Sequence, residues 1–446
     1  MRFLKALSWI EKIKNIREFK FKEDNLGLEI DLFNLEIEKG LAFEIFHPFV
    51  KILYNNPKFI ISDNSFSIKI NHFRINQGTN LLSRKIIAYN FQNIEFNGEE
   101  FFYFRLLSPL KDSFYLVNLL NISPERTYKI KINKNSVKLS IENSEIKKYL
   151  VIESVNKITF SDFKHLSNSL LFALGFLNGD LIKDEELFFQ TNDETWEDIN
   201  GFFYRELNKS IKCFKPINSI PQQYSNFIND KEYDFDSKKS ILELNNLEKL
   251  INSIHNNNHY FTAIRILLEI NNNSFVTKPS ILFVVLEILC EEINKEHKSD
   301  YIEKQKLKDE ALNVLRGYKE KINICDYDFL NKVIYSLDKK LVKNLVNFER
   351  AFNSLGIKLN KNDSKVLEKR NDFFHGRILS QTFSFKNEEE YTEIELEYYS
   401  ISQRLFTLIS KLLLKSIDYS GYIVNHQKLR EKQSNKEIDE DYFIKI

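Results

Sequence analysis

The amino-acid sequence predicts an α+β protein, with an N-terminal antiparallel β-rich domain followed by a C-terminal all-α helical bundle. Two patterns carry this. Residues 17 to about 160 alternate apolar and polar side chains with period two, and from 241 onward apolar residues recur at helical spacing. Composition agrees: 446 residues, 43% hydrophobic and 14% aromatic with only 11 Gly and 7 Pro, provide for more than one core. The same figures exclude disordered, collagen-like and linker-dominated chains.

In the first half, LGLEIDLFNLEIE (26–38) sets Leu26, Leu28, Ile30 and Leu32 on one face. SFSIKINHFRI (65–75) sets Phe66, Ile68 and Ile70 opposite Ser65, Ser67 and Lys69. TYKIKI (127–132), SVKLSIE (136–142) and YLVIESV (149–155) continue the alternation, and Asn133-Lys134-Asn135 reads as a turn in which Asn135 tolerates positive φ. A sandwich or partly open barrel is expected over 1–160. Residues 161–205 read as a helical and strand connector. In its helix, Ser161 or Asp162 is the N-cap, Phe163, Leu166, Leu170, Leu174 and Leu177 lie at helical spacing, and Gly179 is the C-cap; LFF (187–189) is a short strand. Pro216, Pro221 and DKEYDFDSKK mark 206–240 as a linker. Helices are expected at 241–256, 259–271, 279–296, 300–321, 326–355, 363–378 and 390–424, forming a bundle over 241–425, with 426–446 a charged tail that frays.

Charge and cysteine usage narrow the function classes. With 64 Lys+Arg against 63 Asp+Glu the net charge is +1, which excludes a protein that coats nucleic acid through bulk charge. Cys213, Cys290 and Cys325 have neither zinc-knuckle spacing nor a disulfide pattern, so a reducing, cytoplasmic compartment is expected. Charged residues interrupt the N-terminal twenty, so no signal peptide is expected, and no run reaches membrane-spanning length. No P-loop, G-x-G-x-x-G or G-x-S-x-G occurs, and no cofactor is expected.

One helix departs from its own pattern. On a wheel of about 100° per residue, KNDSKVLEKRNDFFHGRI (361–378) gathers Val366, Leu367, Phe373, Phe374 and Ile378 into an apolar stripe, with Lys365, Glu368, Lys369 and Asp372 opposite. Arg370 falls in the middle of the stripe. An unpaired charge there costs several kcal/mol, so it needs a partner or a task. Asn371 and His375, at i,i+4 on the stripe's edge, place an amide beside a titratable imidazole. The alternative is a plain ion pair, and Glu287 is a ready partner, as the single charge in ILFVVLEILC (281–290).

Other signals read as ordinary surface. His255 and His259 lack the Glu of a zinc-protease helix and are separated by three Asn, so no metal site is expected. The six Glu within 388–397 suit a solvated helix N-terminus, and Glu145-Ile-Lys147 is a chance tripeptide. Arg126, Lys129, Lys131, Lys134 and Lys138, with Tyr128 among them, read as the solvent face of a hairpin. Residues 356–378 carry six basic and three acidic groups, a local excess of positive charge.

Arg370-Asn371-Asp372-Phe373-Phe374-His375 resembles the R-x(4–6)-H motif of the HEPN superfamily of helical-bundle ribonucleases. The helix bearing Glu287 is similar to an early helix of that bundle. The layout, a β-rich half before the bundle, resembles that of ApeA-like anti-phage defence proteins. The resemblance implies a HEPN-type bundle over 241–425 and metal-independent RNA cleavage. It implies Arg370, Asn371 and His375 as catalytic residues, with Glu287, Gly376 and Arg377 in support. It also implies a homodimer, an RNA substrate such as tRNA, and a phage-derived trigger acting on the N-terminal domain. The other reading is a non-catalytic HEPN-like module that binds RNA or protein, with Arg370 in a structural ion pair.

Overall fold

Strand β9 (Phe101–Leu110) is where the first unit's described side chains gather, in a computed structural model of the whole chain. Of residues 1–98 the structure describes the backbone of the strands named below. From residue 99 onward it describes the chain apart from 111–119, 121–125, 144–147, 207–213, 298–309, 319–329, 335–342, 375–387, 433–436 and a few shorter gaps. The protein is mixed α+β, with antiparallel sheet in the N-terminal part and helices in the C-terminal part. It divides into two units, Met1–Leu174 with Leu181–Ile211 and Gly175–Asp180 with Lys212–Ile446.

The first unit holds one antiparallel sheet. Strands β1 (Glu18–Glu23), β2 (Leu28–Asp31), β3 (Leu35–Ile37), β4 (Glu44–His47), β5 (Val50–Asn55), β6 (Lys58–Ser62), β7 (Ser67–Gln77) and β8 (Ser83–Gln92) are neighbours in sequence order. A further β1–β8 pairing closes this run into a ring. The sheet then continues from β8 through β15 (Gly201–Glu206), β14 (Glu185–Thr191), β9, β12 (Lys148–Ser154), β11 (Asn135–Asn143) and β10 (Tyr128–Ile132), while β13 (Ile158–Thr159) pairs with β9. Helix α1 (Phe160–Asn178) lays Phe160 and Phe163 against Phe104, Phe188 and Phe203 of the sheet, with ring centroids 5.4 to 6.2 Å apart.

Several expectations are corrected here. The segment 161–205 is no connector: β14 and β15 are interior strands of the first unit's sheet. Run 26–38 is a hairpin of two strands, β2 and β3. In the β10–β11 turn it is Asn133, at φ 52°, that takes the left-handed conformation, and Asn135 already pairs with Ile132. Lys129, Lys131 and Lys138 lie exposed on that hairpin, opposite buried Ile130 and Ile132. Helix α1 begins two residues before a Ser161 cap would start it, because Thr159 Oγ1 accepts from the Asp162 N–H at 3.1 Å. Gly179, at φ 68°, stands just past its end as expected.

The second unit is helical at its centre. Its named helices are α2 (Leu244–Asn256), α3 (Asn258–Glu269), α4 (Lys278–Glu296), α5 (Lys343–Ser354), α6 (Lys361–Glu368), α7 (Arg370–Phe374), α8 (Glu388–Lys415) and α9 (His426–Leu429). Helix α4 is central and packs on α3, α5 and α8. Of the predicted helices 300–321 and 326–355, the described residues are helical at 310–318, at 330–334 and in α5.

The segments expected to be loose are folded. Helix α8 ends at Lys415, because Asp418 adopts φ 59° and the Tyr419 N–H returns to the Leu414 carbonyl at 3.0 Å. The chain then forms β16 (Tyr422–Val424) and, at its end, β17 (Phe443–Lys445), which pair with each other. Ile228 from the presumed linker is buried with Val424, Leu429 and Phe443, and Ile217 bridges Ile423. The described residues of 426–446 are therefore a docked element, not a frayed tail, and part of 206–240 belongs to its core.

Polar groups fix this element. Arg404 of α8 is fully buried; its Nε lies 3.0 Å from Asp363 Oδ1 and its Nη1 donates to Glu440 Oε2 at 2.6 Å. Lys411 reaches Asp363 Oδ2 at 3.3 Å, and Asp363 also closes a capping box with Asn360 at the start of α6. Glu440 further accepts from Asn360, Asn362 and Asn425 at 2.9 to 3.1 Å. Burial opposes ionisation of Glu440, yet its hydrogen bonds from Arg404 and Asn362 and the Arg404 charge hold its pKa down to about 2. His426 lies between Phe214, tilted against it at 4.7 Å, and Phe406, edge-on at 5.4 Å, with Nε2 2.7 Å from the Lys215 carbonyl. Burial drives its pKa down to about 3 against that hydrogen bond, with the Arg430 charge adding to the effect.

These contacts predict the outcome of unfolding measurements. Arg404→Ala strands Asp363 and Glu440 and is expected to cost about 3–5 kcal/mol in urea unfolding. Lys249→Ala, which removes an exposed pair with Asp418, is expected to leave the urea midpoint nearly unchanged by comparison. Because the folded pKa of His426 lies below 6.5, the unfolded chain takes up that proton first as pH falls. The stability it contributes is whole above pH 6.5 and declines by up to about 1.4 kcal/mol per pH unit below it. His426→Gln keeps an N–H for Lys215 and is expected to flatten the stability profile between pH 6.5 and 4.5, above the range in which Glu440 titrates. An unchanged slope would mean that His426 charges without unfolding.

Candidate functional site

The single helix expected over 363–378 is broken. Helix α6 opens on the Asn360–Asp363 capping box and ends at Glu368; Lys369 is a turn residue, and α7 starts at Arg370. The N–H groups of Asp372 and Phe373 both go to the Lys369 carbonyl, at 3.0 and 3.3 Å, so the second helix is nucleated on that one residue. The break re-aims α7 relative to a continuous wheel. Phe373 is buried against Phe283 of α4 (5.8 Å) and Tyr398 of α8 (5.4 Å), whereas Phe374, placed by the wheel in the apolar stripe, is 39% exposed.

Arg370 finds the partner its position demanded. Its Nε donates to Glu287 Oε1 at 2.6 Å, and Nη1 donates to Asn371 Oδ1 at 3.0 Å. Its guanidinium carbon sits 4.2 Å from the centre of the Phe374 ring. The side chains of Arg370 and Glu287 retain 20% and 32% of their exposure. The pair therefore lies at the edge of the bundle with water beside it, unlike the sealed Arg404 network. The Nη2 hydrogens and the second Nη1 hydrogen have no partner among the described residues. Asn371, expected to orient an imidazole, turns its oxygen to the guanidinium. His375, Gly376 and Arg377 lie outside the described residues.

Neighbouring groups complete the setting. Lys369 forms an ion pair with Glu397 of α8, so one carboxylate of the Glu-rich stretch is committed to this site's flank. Tyr398, next to Glu397, is 2% exposed, and its hydroxyl has no hydrogen-bond partner among the described residues. Burial, reinforced by the Glu397 charge, pushes its pKa up to about 12. In the sequence Glu397 stands out only as one of the Glu-rich stretch, and Tyr398 only by its place in an amphipathic run.

His255 and His259 do not share one helix face. They fall on successive helices separated by Asn257, whose side chain caps α3 by accepting from the His259 N–H at 2.8 Å. Among the described residues no cluster of three or more His, Cys, Asp or Glu side chains is placed to hold a metal ion. Glu145-Ile-Lys147 lies outside the described residues. No described helix is long and apolar enough to cross a membrane.

The chain matches no known protein family, no curated protein and no solved structure. What the site does must therefore be argued from its chemistry.

Partial exposure sets the strength of the Glu287–Arg370 pair. A double-mutant cycle with Glu287→Gln and Arg370→Gln is expected to give a coupling of about 0.5–1 kcal/mol in urea unfolding. A coupling indistinguishable from zero would mean that the two side chains are independent in solution.

Proposed function

We propose that the chain is a metal-independent RNA endonuclease of the HEPN type, acting as an anti-phage abortive-infection effector on tRNA or other cellular RNA. The observation that carries this reading is the state of Arg370. Glu287 anchors it through Nε and Asn371 through one Nη1 hydrogen, while its Nη2 donors have no partner among the described residues, five residues before His375. A guanidinium fixed in this way is prepared to donate to phosphate oxygens in fork geometry.

RNA carries its own nucleophile. A base removes the proton of the 2′-OH, the oxygen attacks the adjacent phosphorus, and the 5′-oxygen of the next nucleotide leaves with a proton. The products are a 2′,3′-cyclic phosphate and a 5′-hydroxyl. In this mechanism His375 exchanges the proton, a role worth roughly 10²–10⁴-fold. Arg370 stabilises the charge that builds on the phosphorane, and Asn371 fixes the guanidinium. DNA lacks the 2′-OH and is spared. On the wheel Arg370 and His375 point about 140° apart, so we place the working site at the interface of a homodimer that pairs two motifs. The β-rich N-terminal unit is assigned the sensing of a phage-derived trigger, and the protein is assigned to the cytoplasm.

A second reading has one observation in its favour. The 2.6 Å contact with Glu287 is also what a structural ion pair would make, and the chain is then a non-catalytic module that binds RNA or protein. The two readings separate on His375→Ala. The nuclease reading expects growth arrest on overexpression of wild type and its loss in the variant, with cleavage of total RNA in vitro that persists in EDTA and leaves DNA intact. Equal toxicity of both proteins, or a folded wild type that cuts no RNA, would leave the binding module.

A further inference from the structure

Phe374 is a large apolar side chain left open beside the Arg370 guanidinium of the proposed site. Its neighbour Phe373 has gone into the core against Phe283 and Tyr398, so burial of α7 does not need it. Phe374 instead stays 39% exposed, with the Arg370 guanidinium 4.2 Å from its ring centre. Exposing a phenyl ring costs hydrophobic free energy that a polar residue at the same helix position would avoid. The guanidinium covers part of the ring and is itself held by Glu287 and Asn371, so the ring has a defined setting.

We propose that Phe374 is a nucleobase platform: it stacks a base of single-stranded RNA next to the phosphate held by Arg370. This rests on the ribonuclease reading and names the form of substrate the site takes. Sequence-tolerant recognition of single strands combines a cation for the backbone with an aromatic face for the base, and here the two occur on adjacent turns of one short helix. A base paired within a duplex has its faces occupied by neighbouring bases. The platform therefore selects loops and unpaired segments.

The experiment perturbs enzyme and substrate together. Wild type, Phe374→Ala, Phe374→Leu and Phe374→Tyr are compared on a short RNA and on versions carrying one abasic site at each position flanking the cut. With wild type, one abasic position is expected to lower kcat/KM roughly tenfold, the size of a lost base–aromatic stack. With Phe374→Ala the same abasic site is expected to change nothing further. Phe374→Tyr restores the effect and Phe374→Leu, which keeps bulk without a π face, does not. Equal abasic penalties in wild type and Phe374→Ala overturn the proposal, as does full activity and abasic sensitivity in Phe374→Leu. The cycle is repeated as binding of a 2′-deoxy-substituted oligonucleotide carrying 2-aminopurine, whose fluorescence is quenched on stacking. That arm reads the platform even if wild type fails to cleave, so loss of the nuclease reading and loss of the platform are told apart. Sedimentation of the same variants covers the remaining occupant: dissociation of a dimer by Phe374→Ala with unchanged oligonucleotide quenching would assign the ring to a second copy of the chain and overturn the proposal.

Discussion

A fully buried guanidinium between two carboxylates organises the second unit. Arg404 has no access to water, so its charge must be met inside the protein, and Asp363 and Glu440 meet it from two different parts of the chain. Each carboxylate also serves a backbone purpose. Asp363 closes the capping box that starts α6, and Glu440 gathers Asn360, Asn362 and Asn425, joining the C-terminal segment to that same helix start. The register of α6 against α8 is thereby fixed two turns before Arg370. The turn at Lys369 separates this rigid anchor from α7. The anchor therefore sets where α7 begins, while Glu287 and the packing of Phe373 set how it lies.

How much of this the sequence disclosed depended on how local each signal was. Alternation with period two located β7, β10, β11 and β12, and helical spacing located α2, α3 and α4 to within a few residues. Arg370 and Glu287 stood out because each is a charge within an apolar run, and they prove to be paired. The same reasoning applied to SISQRLFTLISKLLLK would have singled out Arg404 and Lys411. Their partners were less visible: Asp363 reads as a helix cap and Glu440 as one acid among several in a charged tail. Pairs lying 28 to 83 residues apart in the chain are tertiary facts, and no periodicity announces them. The break at Lys369 left no trace either, since neither Gly nor Pro marks it.

The local charge balance also changes meaning in three dimensions. The stretch 356–378 carries an excess of basic residues, which in sequence suggested an electropositive site. In space Lys369 is matched by Glu397, and Arg370 by Glu287. These carboxylates come from other helices, so the count along the segment overstated the field. Attraction of an anion from a distance is correspondingly weak there. Affinity for a phosphate has to come from short-range hydrogen bonds by donors already pointing the right way.

That constraint bears on why an arginine stands at position 370. A lysine ammonium is a single rotatable centre, and a carboxylate at Glu287 would not fix the direction of its remaining donors. A guanidinium divides the work: Nε satisfies Glu287 on the protein side, and the planarity of the group turns the end-on hydrogen of Nη2 in a different direction from that bond. The anchoring carboxylate then need not leave when a phosphate arrives. It keeps the plane of the guanidinium fixed, with Asn371 and the Phe374 ring limiting rotation from two further directions. An ion pair that looks purely structural thus also suits an anion-binding group whose orientation is settled before its ligand binds.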